Sequence, residues 1–206
     1  MGVGFGKSTG YTFRFLKPEK PANAFTIALG NFPMFFGDPN HFAIEIGEAV
    51  SYPGFSGLSL PFRFWIAKAP IGDWDDRIPL SGSIGWASQF RDMKPERRRN
   101  PFPPVPSANL FREVYDQYFS CDYTQDPVSW RNLSAIYHLD AIGMGAVEDK
   151  FGLILVATVD GTERVLAKNL KNDQFVGDEI LPLGTVDSIL TQYIAWGKSQ
   201  AQAFIG

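Results

Sequence analysis

The stretch "FGLILVATVDG", residues 151–161, constrains this chain more than any other. It is apolar on both faces, so a strand made from it must be covered on both sides, as a central strand of a sheet is. Asp160-Gly161 at its end is a two-residue hairpin signal, because both residue types tolerate the left-handed backbone of a tight turn. The segment "TERVLAK" then returns antiparallel, and "FVGDEILPL" supplies another strand.

Other segments alternate with period two. After a turn at Gly37-Asp38-Pro39-Asn40, residues Phe42, Ile44 and Ile46 face one way and Ala43 and Glu45 the other, which predicts a half-buried strand. In "SLPFRFWIAKAPIGDW", Leu60, Phe62, Phe64 and Ile66 share a face, Arg63 and Trp65 take the opposite one, and Ala69-Pro70 turns the chain. Pro61 places this strand at an edge, or itself among the strand's first residues. Leu133, Ala135, Tyr137 and Leu139 alternate as a strand. Helical spacing appears three times. Leu80, Ile84 and Ala87 form one stripe, with Ser81 or Ser83 as cap; Leu110, Phe111, Val114, Tyr115, Tyr118 and Phe119 follow Ser107; and Val186, Ile189, Leu190, Tyr193 and Ile194 follow Thr185, with Asp187 in the first turn. Hairpins rather than crossovers join the clearest strands. The expected class is α+β, a largely antiparallel sheet with about three amphipathic helices. Residues 1–34 read as an N-terminal extension or added hairpin, and 35–206 as a single domain with an exposed Pro/Arg-rich loop at 94–106, "KPERRRNPFPPVP".

A net charge of −3 argues against nucleic acid as the main partner. No apolar run has the length of a membrane span. The single cysteine, Cys121, forms no internal disulfide and fits a reducing, cytoplasmic setting. The opening Gly6-Lys7-Ser8-Thr9 ends like a phosphate-binding loop, but Met1 stands where that loop needs a glycine and no strand precedes it.

The search for catalytic groups returns little. His41 and His138 lie among strand-like residues without further His or Cys ligands at metal-site spacing, and read as histidines on polar strand faces. Cys121 has Asp122 beside it, which opposes a thiolate. Gly82-Ser83-Ile84-Gly85 lacks the spacing of a nucleophile elbow. Asp73, Asp75 and Asp76 cluster beside Trp74, with Asp38 in another turn, but calcium-loop spacing is missing. No cofactor and no metal are expected. The basic run around Arg97, Arg98 and Arg99 reads as a solvated linker. Charge is one-sided elsewhere: only Glu113, Asp116, Asp122 and Asp126 are charged between Arg112 and Arg131, and only Asp173, Asp178, Glu179 and Asp187 between Lys171 and Lys198. Acidic stretches interleaved with Tyr115, Tyr118, Tyr123 and Trp130 suit a protein-binding face that captures a basic partner. For the helical aromatics, a place in the core is at least as good a reading.

Two stretches carry a specific resemblance. "FGDPNHFAIEIGEAV" followed by "FRFWIAKAPIGDWDD", together with the closing "ILPLGTVDSILTQYI", resembles bacterial immunity proteins of polymorphic toxin systems, in particular the immunity protein 42 family. The resemblance spans about Phe36 to Trp196. It implies a small cytoplasmic antidote that binds a cognate toxin domain and blocks it without chemistry. On that reading the expected contacts are Asp73, Trp74, Asp75 and Asp76 in one loop and Asp116, Asp122, Tyr123 and Asp126 in another. Two rivals stand beside it: a divalent-metal-dependent hydrolase, which requires Asp38, Asp73, Asp75 and Asp76 to converge, and a structural or assembly module.

Overall fold

A computed structural model describes residues 25–26, 33–52, 57–120, 135–140, 147 and 150–205, without the side chains of 25, 26, 116–120 and 205. Gly6-Lys7-Ser8-Thr9 and Cys121 lie outside the described residues. Two antiparallel sheets and four described helices make an α+β fold.

The larger sheet contains β1 (Phe25–Thr26), β2 (Met34–Asp38), β3 (Phe42–Ile46), β4 (Val50–Ser51), β5 (Ser59–Ile66), β6 (Ala69–Ile71) and β7 (Arg77–Pro79). Its hub is β5, with which β3, β4, β6 and β7 all pair. Pro61 is the third residue of β5 and falls where its partner changes from β4 to β3. The turn leading to β6 lies at Ala67 and Lys68, both left-handed at φ 49° and 71°, rather than at Ala69-Pro70, which continue as strand.

Helix α1 (Leu80–Asp92) is followed by α2 (Lys94–Arg99) and α3 (Ser107–Ser120), and the chain closes with α4 (Thr185–Ile205). Helices α1 and α4 cover the inner face of the larger sheet. Tyr193 of α4 packs edge-on to Phe36 and Phe62, and Trp86 of α1 edge-on to Phe64. The two helices approach closely because Gly197 has no side chain; a Cβ there would stand 2.6 Å from Ile84 Cδ1. Ser83 does not cap α1. It is buried within the helix, where its hydroxyl meets the Tyr193 hydroxyl at 2.5 Å.

The three-stranded sheet has the order β10 (Gln174–Pro182), β9 (Thr162–Asn169), β8 (Phe151–Ala157). It is covered on both faces, as its apolar run requires. Leu153, Leu155, Val165 and Ala167 join the main core with the larger sheet, α1 and α4. Ile154, Val156 and Leu166 face the other way and form a second core with Phe102, Leu110, Phe111, Val114, Tyr115 and Tyr137. Burying each large aliphatic side chain contributes roughly 1.5–3 kcal/mol, which is why the chain assembles a layer on each side. The run is nevertheless an end strand, with β9 at the centre. Backbone from elsewhere closes its outer edge: Phe102 N–H donates to the Ala157 carbonyl and Leu139 N–H to the Leu153 carbonyl.

That edge closure explains two further differences from the sequence reading. Residues 135–137 are helical and His138 makes a single bridge to Ile154, so no strand runs through 135–139. In the 94–106 segment, Lys94–Arg99 is helix α2, while Phe102 and Arg97 are buried. Arg97 is not solvated. It donates to the carbonyls of Phe90 (2.7 Å) and Ile136 (3.1 Å) and pairs with Asp187 at 2.6 Å, with its guanidinium 4.2 Å from the Phe90 ring.

Candidate functional site

On the outer face of the larger sheet, the residue type that strand alternation displays is neither purely polar nor purely apolar. Register places Phe35, Glu45 and Arg63 in one cross-strand row, and Gly37, Ala43 and Trp65 in the next. Arg63 forms an ion pair with Glu45, and the Trp65 indole N–H donates to the same carboxylate at 2.6 Å. The guanidinium lies 5.1 Å from the Trp65 ring and 4.8 Å from the ring of Trp74. Phe35 rests against Trp65 at 6.2 Å and remains 40% exposed. Ala43 and Glu45 are therefore buried rather than half-exposed, although alternation assigned them to the correct face.

The loop between β6 and β7 delivers Trp74 to this layer. Gly72 has φ 120°, and a Cβ there would stand 2.9 Å from Val147 and 3.2 Å from the Arg63 Cβ, so only glycine lets the chain turn over the arginine. Asp73 then organises the loop: its carboxylate accepts from the Asp75 N–H (3.1 Å), and its carbonyl from the Asp76 N–H (3.1 Å). Lys150 lies 3.5 Å from the Asp73 carboxylate. Asp73 and Asp75 are exposed; Trp74 and Asp76 are half-buried. The result is a fixed aromatic surface, one internally neutralised ion pair and a rim of carboxylates.

Of the residues read as partner contacts, Asp73, Trp74, Asp75 and Asp76 come together here. Asp122, Tyr123, Asp126 and the side chain of Asp116 lie outside the described residues. Phe35, Arg63 and Trp65 share this layer with them and were not among the residues read as contacts. Their signal was the outward register of the strands, which assigns Arg63 and Trp65 to the face opposite Phe64. Tyr115 belongs to the second core, stacked 4.2 Å from Phe111.

Each carboxylate of the acidic stretch 173–187 has a partner on the molecule, and Asp173 alone of the four remains largely exposed. Asp173 pairs with Lys168 (2.6 Å), Asp178 with Arg164 (2.7 Å), Glu179 with His41 (2.7 Å) and Asp187 with Arg97. Burial raises the pKa of Asp178, but hydrogen bonds from Arg164 and Ser107 and the guanidinium charge outweigh it and hold the carboxyl low. Ser107 is thus engaged with β10 rather than capping α3, donating to Asp178 at 2.6 Å. The N-terminus of α4 is capped from β9: Glu163 accepts from the N–H groups of Gly184 (2.8 Å) and Val186 (2.7 Å), while the Thr185 hydroxyl donates to the Pro182 carbonyl. Burial keeps the Glu163 pKa raised despite those two hydrogen bonds.

Among the described residues no three His, Cys, Asp or Glu side chains gather as a metal ion would require, so Asp38, Asp73, Asp75 and Asp76 do not form the centre the hydrolase reading needs. Asp38 is engaged locally, accepting from the backbone and side-chain nitrogens of Asn40. His138 is not on a polar strand face: it is buried, 4.8 Å from the Tyr115 ring, with Nδ1 3.4 Å from Asp140, which also accepts the Tyr115 hydroxyl at 2.5 Å. None of the described helices is long and apolar enough to cross a membrane.

Comparison with known proteins places this architecture. A crystal structure of CdiI from Burkholderia dolosa AUO158 superposes with a TM-score of 0.55 at 18% identity, over 79% of this chain and 99% of that one. No curated protein sequence matches the chain. The sequence profile of immunity protein 42 matches residues 34–196, from the first residue of β2 to Trp196 in α4, and the chain therefore belongs to the immunity protein 42 family.

Proposed function

We propose that this chain is a toxin-neutralising immunity protein: it binds a cognate bacterial toxin domain and blocks it by occupancy, without a reaction of its own. The observation that carries the reading is the family match across residues 34–196, which takes in both sheets apart from β1, and the covering helices up to Trp196 in α4. The outer-face geometry supports it, because a rigid aromatic patch with an arginine and a polar rim is the composition of energetically productive protein interfaces. Contacts fall on the Asp73–Asp76 loop, with Asp116, Asp122, Tyr123 and Asp126 as a second set. The protein acts in the cytoplasm and uses no cofactor.

Co-expression tests this directly. The toxin domain encoded beside the gene is expressed in a susceptible bacterium with and without this chain, and the complex is then isolated. Rescue of growth with a stoichiometric complex is expected. Growth arrest despite abundant soluble immunity chain would overturn the reading.

A further inference from the structure

We infer that the outer face formed by Phe35, Trp65 and Trp74 is the docking surface, and that it takes a basic element of the toxin, an arginine or lysine side chain flanked by apolar surface. This rests on the immunity reading and deepens it by naming the face and the chemistry of its occupant. Three observations converge on it. The aromatics are fixed before binding: Trp65 by its bond to Glu45, Trp74 by Arg63 and the Gly72 turn, and Phe35 against Trp65. Little side-chain freedom remains to be lost on association, which favours slow release. Second, Arg63 is already neutralised by Glu45, so the net charge the layer presents comes from its rim, where the exposed Asp73 and Asp75 outnumber Lys150. That sign attracts a cation. Third, indole is the best aromatic acceptor for a cation, and this face carries two indoles, each already in contact with the Arg63 guanidinium, at 5.1 and 4.8 Å. The acidic stretch of 173–187 offers no equivalent, because three of its four carboxylates are held against Arg164, His41 and Arg97 and leave Asp173 as the one largely exposed.

The test is a binding measurement on the full chain with a catalytically inactivated form of the toxin domain encoded beside its gene. Trp74→Ala is expected to raise Kd by about 30-fold, mainly through a faster off-rate. Asp75→Lys, a charge reversal at an exposed position that leaves the Asp73 carboxylate holding the loop, is expected to lower the on-rate about threefold and to flatten its dependence on salt. Ile180→Asp, on the exposed part of β10, serves as the control and is expected to leave Kd unchanged. Wild-type affinity in both the Trp74 and the charge-reversal variants would overturn the assignment of this face while leaving the immunity function standing. A Kd raised by Ile180→Asp alone would move the interface to β10. A wild-type chain that fails to bind the toxin domain would overturn both readings.

Discussion

Arg63 and Arg97 make the same kind of contact in two different places. Each pairs with a carboxylate and lies over an aromatic ring. The Arg97 side chain is only 3% exposed and is fully engaged by Asp187 and two carbonyls, tying α2 to α4 and to the segment before His138. The Arg63 side chain is 24% exposed and holds two tryptophans at the surface. Identical chemistry thus fastens helices together in one region and holds an aromatic layer at the surface in the other. The difference lies in what covers the pair: protein backbone over Arg97, and the rings of two half-buried tryptophans over Arg63.

Breaking the Arg97 pair gives the largest expected effect. Arg97→Met leaves Asp187 buried with only Lys94 at 3.6 Å, and is expected to cost about 3–5 kcal/mol in urea denaturation. Combining it with Asp187→Leu is expected to restore a large part of that loss, because the uncompensated charge is what destabilises. Arg63→Met is expected to cost less, about 2 kcal/mol, since Glu45 keeps the Trp65 indole N–H as a partner. Its toxin affinity is expected to fall even when the chain is fully folded, as calorimetry at a temperature well below the unfolding transition reads. Equal stability losses for the two arginine variants would erase the distinction drawn between them. Gly72→Ala forces φ 120° on a residue with a Cβ, and is expected to cost about 1 kcal/mol and shift the tryptophan fluorescence as Trp74 moves.

The smallest effects are titrations of opposite sign. Asp178 has a lowered pKa in the fold, so its contribution to stability is present above the ordinary aspartate value of about 3.9 and is lost as pH falls through the folded value. Glu163 has a raised pKa, so its contribution is complete below about 4.3 and is lost as pH rises through the folded value. Denaturation midpoints followed between about pH 3 and pH 7 are expected to show a weaker acid limb in Asp178→Asn and a weaker decline above about 4.3 in Glu163→Gln. The reverse assignment of the two limbs would contradict the geometry described for both carboxylates.

The sequence by itself determined the longest strands and helices and their faces, though not helix α2, the helical residues 135–137 or the short strand β6. Period-two alternation assigned Phe42, Ile44, Phe62 and Phe64 to the core side and Glu45, Arg63 and Trp65 to the other, because side-chain direction along a strand is a local property. The two-sided run at 151–157 announced that both its faces would be covered, and the three amphipathic stripes became α1, α3 and α4. The turn from Asp73 to Asp76 was legible as an acidic surface loop by its composition, and the structure places it on the outer face of the larger sheet. What only the tertiary structure decided was partnership. Nothing local distinguishes Arg97, locked to Asp187 ninety residues away, from the exposed Arg99 in the same run, nor shows that Glu163 rather than Thr185 caps α4. Whether a charge is solvated or paired depends on which distant segment folds against it, and that is settled by packing and sheet register rather than by neighbours in the chain.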